Sequence, residues 1–536
     1  MIKKKLIVLF LFAGVAQSGP ENTLDLSTLE TNNGLIFNGA SAWDLAGESV
    51  TEIGDINGDG FTDVAIGADG VDSNSTNNGE VYVIYGNDTH HNSEWEVSDL
   101  DGVAGFTIRG SISGGRMGWA LHGLGDINGD NLDDFVIGAP DFNISNDSGG
   151  IVYVIFGSTT GFGQFFDVST LDGKNGFKIS GLQSSAELGI SVSTAGDFND
   201  DGVLDIILGA RYFGRDDKNI FGVGAAFIVF GKKEGFSSNI DLSDLDTAGV
   251  YRIEGIEDRS EMGRAVSYAG DINFDGIDDV VIGAPGLEFA TGVNGSVYVI
   301  FGGKGPLPQS IKVSELTGEN GFSVLGLNPA SYFGYSVSNA GDFDTDGIDD
   351  LIVGAPGGSS SSSGAAFIIY GRSTSFSSSL EIDSMTETEA LRIVSSIARD
   401  NIGSSVQIVG DLNGDNNREI IIGTDGHNTS NEENLWGYVL YPHRIDHSKG
   451  VFDITGVDGL NGFRIKGLPQ SPDPDGLGRY ADGVAFSSVK DFNSDGINDL
   501  IIGQHGVQSN DIFSGSAYVV FGDDVIFNNG FSAVDK

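Results

Sequence analysis

The chain has 536 residues, of which 82 are glycine, 11 are proline and none is cysteine, and its formal charge is −48. The lack of cysteine excludes disulfides, thiol catalysis and cysteine-held zinc. So much negative charge repels nucleic-acid phosphates and anionic membrane surfaces and favours cations or basic partners. Abundant glycine without a three-residue period, and so little proline, exclude collagen and proline-rich disorder and leave many turns between many short strands.

Residues 1–18 read as a secretory signal. Lys3, Lys4 and Lys5 precede the apolar run LIVLFLFAGVA, and Ala16 and Ser18 supply small residues for cleavage near Ser18. The expectation is export to the extracellular space or cell surface, or to a periplasm in a bacterium, with residues 19–536 as the mature chain. No later stretch is long and apolar enough to span a bilayer, so no membrane insertion is expected.

The rest of the chain repeats itself. An acidic segment reads GDINGDGFTDVAIGA from Gly54, GDINGDNLDDFVIGAP from Gly125, GDFNDDGVLDIILGA from Gly196 and GDINFDGIDDVVIGAP from Gly270. It continues as GDFDTDGIDDLIVGAP from Gly341, GDLNGDNNREIIIGT from Gly410 and KDFNSDGINDLIIGQ from Lys490. The first aspartates, Asp55, Asp126, Asp197, Asp271, Asp342, Asp411 and Asp491, recur at intervals of 71, 71, 74, 71, 69 and 80 residues.

Each repeat has four strand-like pieces: a short run opening with Gly, such as MGWAL at Met117; the apolar run after the acidic loop; a run such as GSVYVIFG at Gly295; and one such as GFKISG at Gly176. Seven repeats of four antiparallel strands predict an all-β, seven-bladed propeller, since one blade cannot bury both its faces alone. The chain starts with an apparent fourth-strand segment, LDLSTLETNNGLIFNG at Leu24, and ends after a third, GSAYVVFG at Gly515. Residues near Gly34–Gly39 are therefore expected to pair with Ser516–Phe521, completing the last blade and closing the ring.

The loops at 55–63, 126–134, 197–205, 271–279, 342–350, 411–419 and 491–499 follow the pattern D-x-[ND]-x-D-G-x-x-[DE]. Side chains at positions 1, 3 and 5, the carbonyl at position 7 and the acid at position 9 converge when such a loop curls, and Gly at position 6 permits the turn. The metal donors expected in blade 1 are Asp55, Asn57, Asp59, the Phe61 carbonyl and Asp63, and in blade 2 Asp126, Asn128, Asp130, the Leu132 carbonyl and Asp134. Blade 3 offers Asp197, Asn199, Asp201, Val203 and Asp205, and blade 4 Asp271, Asn273, Asp275, Ile277 and Asp279. Blade 5 has Asp342, Asp344, Asp346, Ile348 and Asp350, and its additional carboxylate predicts one of the tighter sites. Blade 6, with Asp411, Asn413, Asp415, Asn417 and Glu419, is the poorest match; blade 7 has Asp491, Asn493, Asp495, Ile497 and Asp499. Asn131 and Asn416 replace the turn glycine in blades 2 and 6. Up to seven structural calcium ions are expected, because hard divalent ions prefer oxygen donors; magnesium, the alternative, demands octahedral, water-rich shells.

The Gly-opened strand, the GDxNxDG loop and the Gly-Ala-Pro at Gly138, Gly283 and Gly354 resemble FG-GAP repeats, which build the N-terminal propeller of integrin α chains. The resemblance covers nearly all of residues 19–536 and departs at Ala46-Gly47 and Asp482-Gly483, where Phe-Gly is the pattern. It implies a ligand face opposite the metal loops. Candidates there are Trp43, Arg116, Arg211, Tyr212, Phe213, Arg259, Tyr332, Arg399, Trp436, Arg479 and Tyr480, the last two inside a long insert from Gln470. Leg domains and a transmembrane span are not legible, so integrin-type signalling is not expected.

No metalloprotease, nucleophile-elbow or phosphate-loop signature occurs, and no catalytic or organic cofactor-binding residue is identified. His443 and His447, four apart, lie in a segment without helical character and do not read as a zinc pair. The expected function is a non-enzymatic adhesion or recognition module that binds an extracellular protein or glycan. The alternatives are a secreted polysaccharide lyase or hydrolase on the same scaffold, and a matrix component without a discrete ligand.

Overall fold

The computed structural model describes residues 23–522 except 30–32, 42, 74, 88–93, 141–148, 215–221, 234, 246–248, 287–293, 306, 327–330, 358–362, 398–399, 425–434, 468–483, 494–495, 506–507 and 510–511. The signal-like segment 1–18, Arg399, the insert with Arg479 and Tyr480, and Asp495 lie outside the described residues.

The chain forms a seven-bladed β-propeller. Blade 1 runs from the axis outward as Val50–Gly54, Asp63–Ala68, Glu80–Ile84 and Gly105–Arg109, each strand antiparallel to the last. The second strands carry branched apolar residues on both faces and are buried along their length, as Asp63–Ala68, Asp205–Ala210 and Asp350–Ala355 illustrate. Seven apolar clusters result, each built from two neighbouring blades; Ile53, Val81 and Phe106 of blade 1, for example, pack with Phe135, Ile137 and Ile155 of blade 2. The core is thus a closed series of blade-to-blade interfaces, in which each large apolar side chain contributes roughly 1.5–3 kcal/mol.

In blade 3 the first strand opens at Leu188 as expected, but in blades 2, 4, 5 and 6 it begins later than the sequence implies. In blade 2 the strand is Ala120–Gly125 rather than the run from Met117, and in blade 4 it is Ala265–Gly270 rather than the run from Met262. The preceding Phe-Gly position serves a contact between blades. The Gly334 N–H donates to the Gly354 carbonyl of its own blade at 3.0 Å, and the Gly334 carbonyl rests against the Cα of Gly283 in the preceding blade. A Cβ at Gly283 would overlap that oxygen, so both halves of the motif require glycine for close approach. Ala46-Gly47, the departure in blade 1, makes the same contacts: Gly47 N–H donates to Gly67 at 2.9 Å and its carbonyl lies on Gly503.

Ring closure follows expectation. Gly34–Asn38 pairs antiparallel with Ser516–Val520, with Gly34 opposite Val520 and Asn38 opposite Ser516. The expectation of four strands per blade is corrected to five, because a three-residue parallel strand covers the outer edge of every sheet. Each is lent by the chain one blade ahead: Phe165–Asp167 lies on Gly105–Arg109, and Ser379–Glu381 on Gly321–Leu325. Two come from the start of the ring, with Thr23–Asp25 on blade 6 and Glu94–Glu96 on blade 7. The start of the chain therefore enters two blades.

Candidate metal centres

The acidic loops join first to second strands, all at one end of the propeller. In blade 1 the loop curls around Asp55: its Oδ1 accepts the N–H groups of Gly58 at 2.7 Å and Asp59 at 3.0 Å, and its Oδ2 that of Gly60 at 2.8 Å. Asn57 Oδ1 accepts from Asp59 N–H and Asp59 Oδ1 from Phe61 N–H, which turns positions 1, 3 and 5 inward. Asp126, Asp197, Asp271, Asp342 and Asp411 hold the residue-6 N–H of their loops in the same way. Position 6 is left-handed throughout the first six loops, including Asn131 and Asn416, both at φ 67°.

Position 9 is the buried end of the site. Asp63 Oδ2 accepts the Ile56 N–H at 3.1 Å and Oδ1 the Gly86 N–H at 2.9 Å. Burial, with the other loop carboxylates beside it, pushes this carboxyl up to about 8 despite those donors. The same causes hold Asp134, Asp279 and Asp350 at about 8 and Asp205 at about 7. A buried carboxyl in an acidic loop is ionised at neutral pH at high cost unless a cation offsets its charge.

The donor sets fit a hard cation. Carboxylate oxygens of Asp342, Asp344 and Asp350 all lie within 4.8 Å of one another, as do those of Asp411, Asp415 and Glu419. Among the described residues, the Asn199 Oδ1 of blade 3 and the Asp491 Oδ1 of blade 7 are buried without a hydrogen-bond donor. These atoms belong to positions 3 and 1, so each is an acceptor waiting for a positive partner. Phe61, Leu132, Val203, Ile277, Ile348, Asn417 and Ile497 sit at the loop exits, and Asn128, Asp130, Asp201, Asn273, Asp275, Asp346, Asn493 and Asp499 lie in the loops where the pattern puts them.

Blade 6 departs from the pattern and compensates. In the other six blades, the glycine that ends the third strand donates its N–H to the position-9 carboxylate: Gly86, Gly157, Gly231, Gly302, Gly371 and Gly522, at 2.7–2.9 Å. Blade 6 has Pro442 there, which has no N–H. Glu419 keeps the Leu412 N–H on Oε2 at 2.7 Å, as the other blades do, but takes the Asn413 amide on Oε1 at 3.0 Å in place of the glycine donor, and burial raises it to about 9. Those glycines, which sequence reasoning read only as strand ends, are backbone donors to the acidic loops. His443 and His447 do not converge: the first contacts Asp415 at 3.2 Å and the second the Tyr370 hydroxyl at 3.2 Å.

The opposite face carries backbone strain. The residue before the Phe-Gly position is left-handed in six blades, at Leu45, Arg116, Glu187, Glu261, Tyr332 and Asn401, with φ between 46° and 58°. Trp43, also left-handed, is 45% exposed. Arg211 pairs with Glu187 at 2.6 Å, the Tyr212 hydroxyl donates to Glu261 at 2.9 Å, and Arg116 is buried against Asp69 at 2.9 Å. Trp436 is corrected from a surface candidate to a core residue: it lies in the strand Leu435–Leu440, fully buried and edge-on to Tyr518.

Fold and loops together define a propeller whose blades each bear an acidic, cation-compatible first hairpin. A family model described as FG-GAP repeat matches residues 50–84, 117–155, 262–300 and 333–369, in blades 1, 2, 4 and 5. Among curated proteins, the chain is 27% identical over 320 residues to a phosphatidylinositol-glycan-specific phospholipase D of Dictyostelium discoideum, covering 55% of this chain and 31% of that protein. It is 29% identical over 236 residues to integrin alpha-5 of Xenopus laevis, covering 44% and 19%, and 30% identical over 241 residues to integrin alpha-V of Gallus gallus, covering 44% and 19%. The chain thus spans under a third of the length of each of these relatives. The chain carries FG-GAP repeats, and its propeller is similar to that of integrin α chains. Among the described residues, no helix is long and apolar enough to cross a membrane.

Proposed function

We propose that the chain is a secreted, calcium-binding recognition module that engages an extracellular protein or glycan through the face opposite the acidic loops. The observation that carries the calcium reading is the position-9 carboxyl, buried in six blades beside further carboxylates and raised to about 7–9 when no cation is present. Positions 1, 3, 5 and 9 with the position-7 carbonyl would hold the ion, and five or more protein oxygens suit calcium better than water-rich magnesium. Calcium bound there would neutralise the loop and join the first two strands of each blade. The loops' own hydrogen bonds turn positions 1, 3 and 5 inward, toward the place where the ion would sit. Metal analysis of the purified, dialysed chain tests this: up to seven calcium ions per chain are expected, and a metal-free folded protein after dialysis against micromolar calcium would refute it.

The recognition reading rests on the strained, aromatic- and arginine-bearing face and on the integrin α relatives. Trp43 and Tyr332 are the residues offered to a partner, while Arg211 and Tyr212 are positioned by Glu187 and Glu261. Arg479 and Tyr480 remain candidates from the sequence. A carbohydrate-cleaving enzyme would need two carboxyl groups facing one cleft. Asp44 is raised to about 6 by burial near Glu80 and Asp72, but the axial cavity of about 260 Å³ has Glu48 as the one carboxylate among its described lining residues. The binder is therefore preferred. A glycan and matrix-protein array probed with and without calcium tests it: calcium-dependent binding that weakens in Trp43→Ala and Tyr332→Ala is expected. Turnover of an arrayed glycan would favour the enzyme.

A further inference from the structure

We infer that the metal loops are not all independent but are coupled between neighbouring blades, through a double clasp present at three of the blade junctions. The inference rests on the calcium reading above. At the junction of blades 3 and 4, the Asp278 carboxylate accepts the backbone N–H of Asp197 at 2.6 Å. Asp197 opens the blade 3 loop, and Asp278 immediately precedes Asp279, which closes the blade 4 loop. The other Asp278 oxygen accepts the Tyr268 hydroxyl at 3.0 Å, so the carboxylate is fixed at both ends. A second contact runs in parallel: Gly302 N–H donates to Asp279 at 2.9 Å, and the next N–H, of Gly303, donates to the Phe198 carbonyl in the blade 3 loop at 3.0 Å.

The same double clasp recurs twice. Between blades 4 and 5, Asp349 accepts from Asp271 N–H at 3.1 Å and Arg372 N–H donates to the Ile272 carbonyl at 3.0 Å. Between blades 1 and 2, Asp133 accepts from Asp55 N–H at 2.8 Å and Ser158 N–H donates to the Ile56 carbonyl at 2.7 Å. The junction of blades 2 and 3 has only the second contact, from Lys232 N–H to the Ile127 carbonyl at 3.2 Å, because Leu204 stands where the aspartate would be. Blades 3, 4 and 5 are thereby linked as a set, and blades 1 and 2 as a pair.

The physical basis is shared ordering. When position 9 and the position-7 carbonyl of one loop are held on an ion, position 8 between them is held too. It then presents a fixed acceptor to the first residue of the preceding loop, whose ordering cost falls. Coupling is reciprocal, so each of the linked loops raises the affinity of the other.

Calcium titration calorimetry on the metal-stripped full chain tests this with Asp278→Leu, a change the chain itself tolerates at position 204, and with the reverse change Leu204→Asp. The wild type is expected to titrate with a Hill slope above one. Asp278→Leu should flatten the curve and weaken part of it by about fivefold or more. Leu204→Asp should steepen it by adding the missing clasp. Far-UV circular dichroism checks that each variant is folded; if Asp278→Leu is not, Leu204→Asp decides alone. Calcium heats with unchanged slope and midpoints in the folded variants would overturn the coupling and leave the calcium reading standing. No calcium heat in the wild type would overturn both.

Discussion

Glu419 closes the blade 6 loop on the side-chain amide of Asn413, 3.0 Å away, where each of the other blades uses a glycine backbone N–H. The longer acid and the missing donor at Pro442 are two halves of one change. Glu419→Asp alone should therefore leave a buried acceptor short of a partner, at a cost of about 1–3 kcal/mol. Combining it with Pro442→Gly, which restores the backbone donor, should recover most of the loss. Chemical denaturation of the two single variants and the double variant measures the coupling directly.

The acidic loops should reverse the pH dependence of stability when metal is removed. Asp63, Asp134, Asp279 and Asp350 are held at about 8 in the folded, metal-free chain, against ~4 when unfolded. Between those values the folded state binds more protons than the unfolded one, so stability falls as pH rises through about 4 to 8. Metal-stripped protein should melt at a higher temperature at pH 5.5 than at pH 8. With millimolar calcium the order should invert, because deprotonated loops bind the ion better. Scanning calorimetry at both pH values checks both signs.

Contact between blades through paired glycines predicts a steep penalty for a single methyl group. Gly283→Ala drives its Cβ into the Gly334 carbonyl oxygen and should cost about 1–3 kcal/mol or more. Gly456→Ala, where nothing lies within 4 Å, should stay within about 0.5 kcal/mol of wild type. Urea midpoints of the two variants make the comparison.

Removing residues 23–39 exposes the edges of two blades together. Ser516–Val520 loses its antiparallel neighbour and Gly462–Lys466 its outer cover. An unpaired edge recruits another strand. The truncated chain should dimerise or aggregate in size-exclusion chromatography with light scattering, at concentrations where the intact chain does not.

The acidic loops and the ring closure were legible because each is written in one stretch of chain: Asp55 to Asp63 is a single pattern, and the leftover strand at Gly34 announces itself by likeness to Gly176. What escaped is what forms between stretches. The lent edge strands are three residues long and pair with a blade some sixty residues back, as Phe165–Asp167 does with Gly105–Arg109. The donor role of Gly86 likewise depends on register between strands of one blade, and the clasp between Asp133 and Asp55 on register across two. Trp436 was misplaced for a related reason. Next to an acidic, asparagine-rich stretch it reads as a loop residue, yet it lies in the third strand and fills the space over Gly467.

The dual use of the chain's beginning has a temporal meaning. Thr23–Asp25 and Gly34–Asn38 are among the first described residues to be synthesised, yet their partners at Gly462–Lys466 and Ser516–Val520 are among the last. The early strands must therefore wait without those partners until they are made. The circle is finished only by joining ends separated by nearly the whole chain, the most distant contact it contains, and this final stitch should set the tempo of maturation.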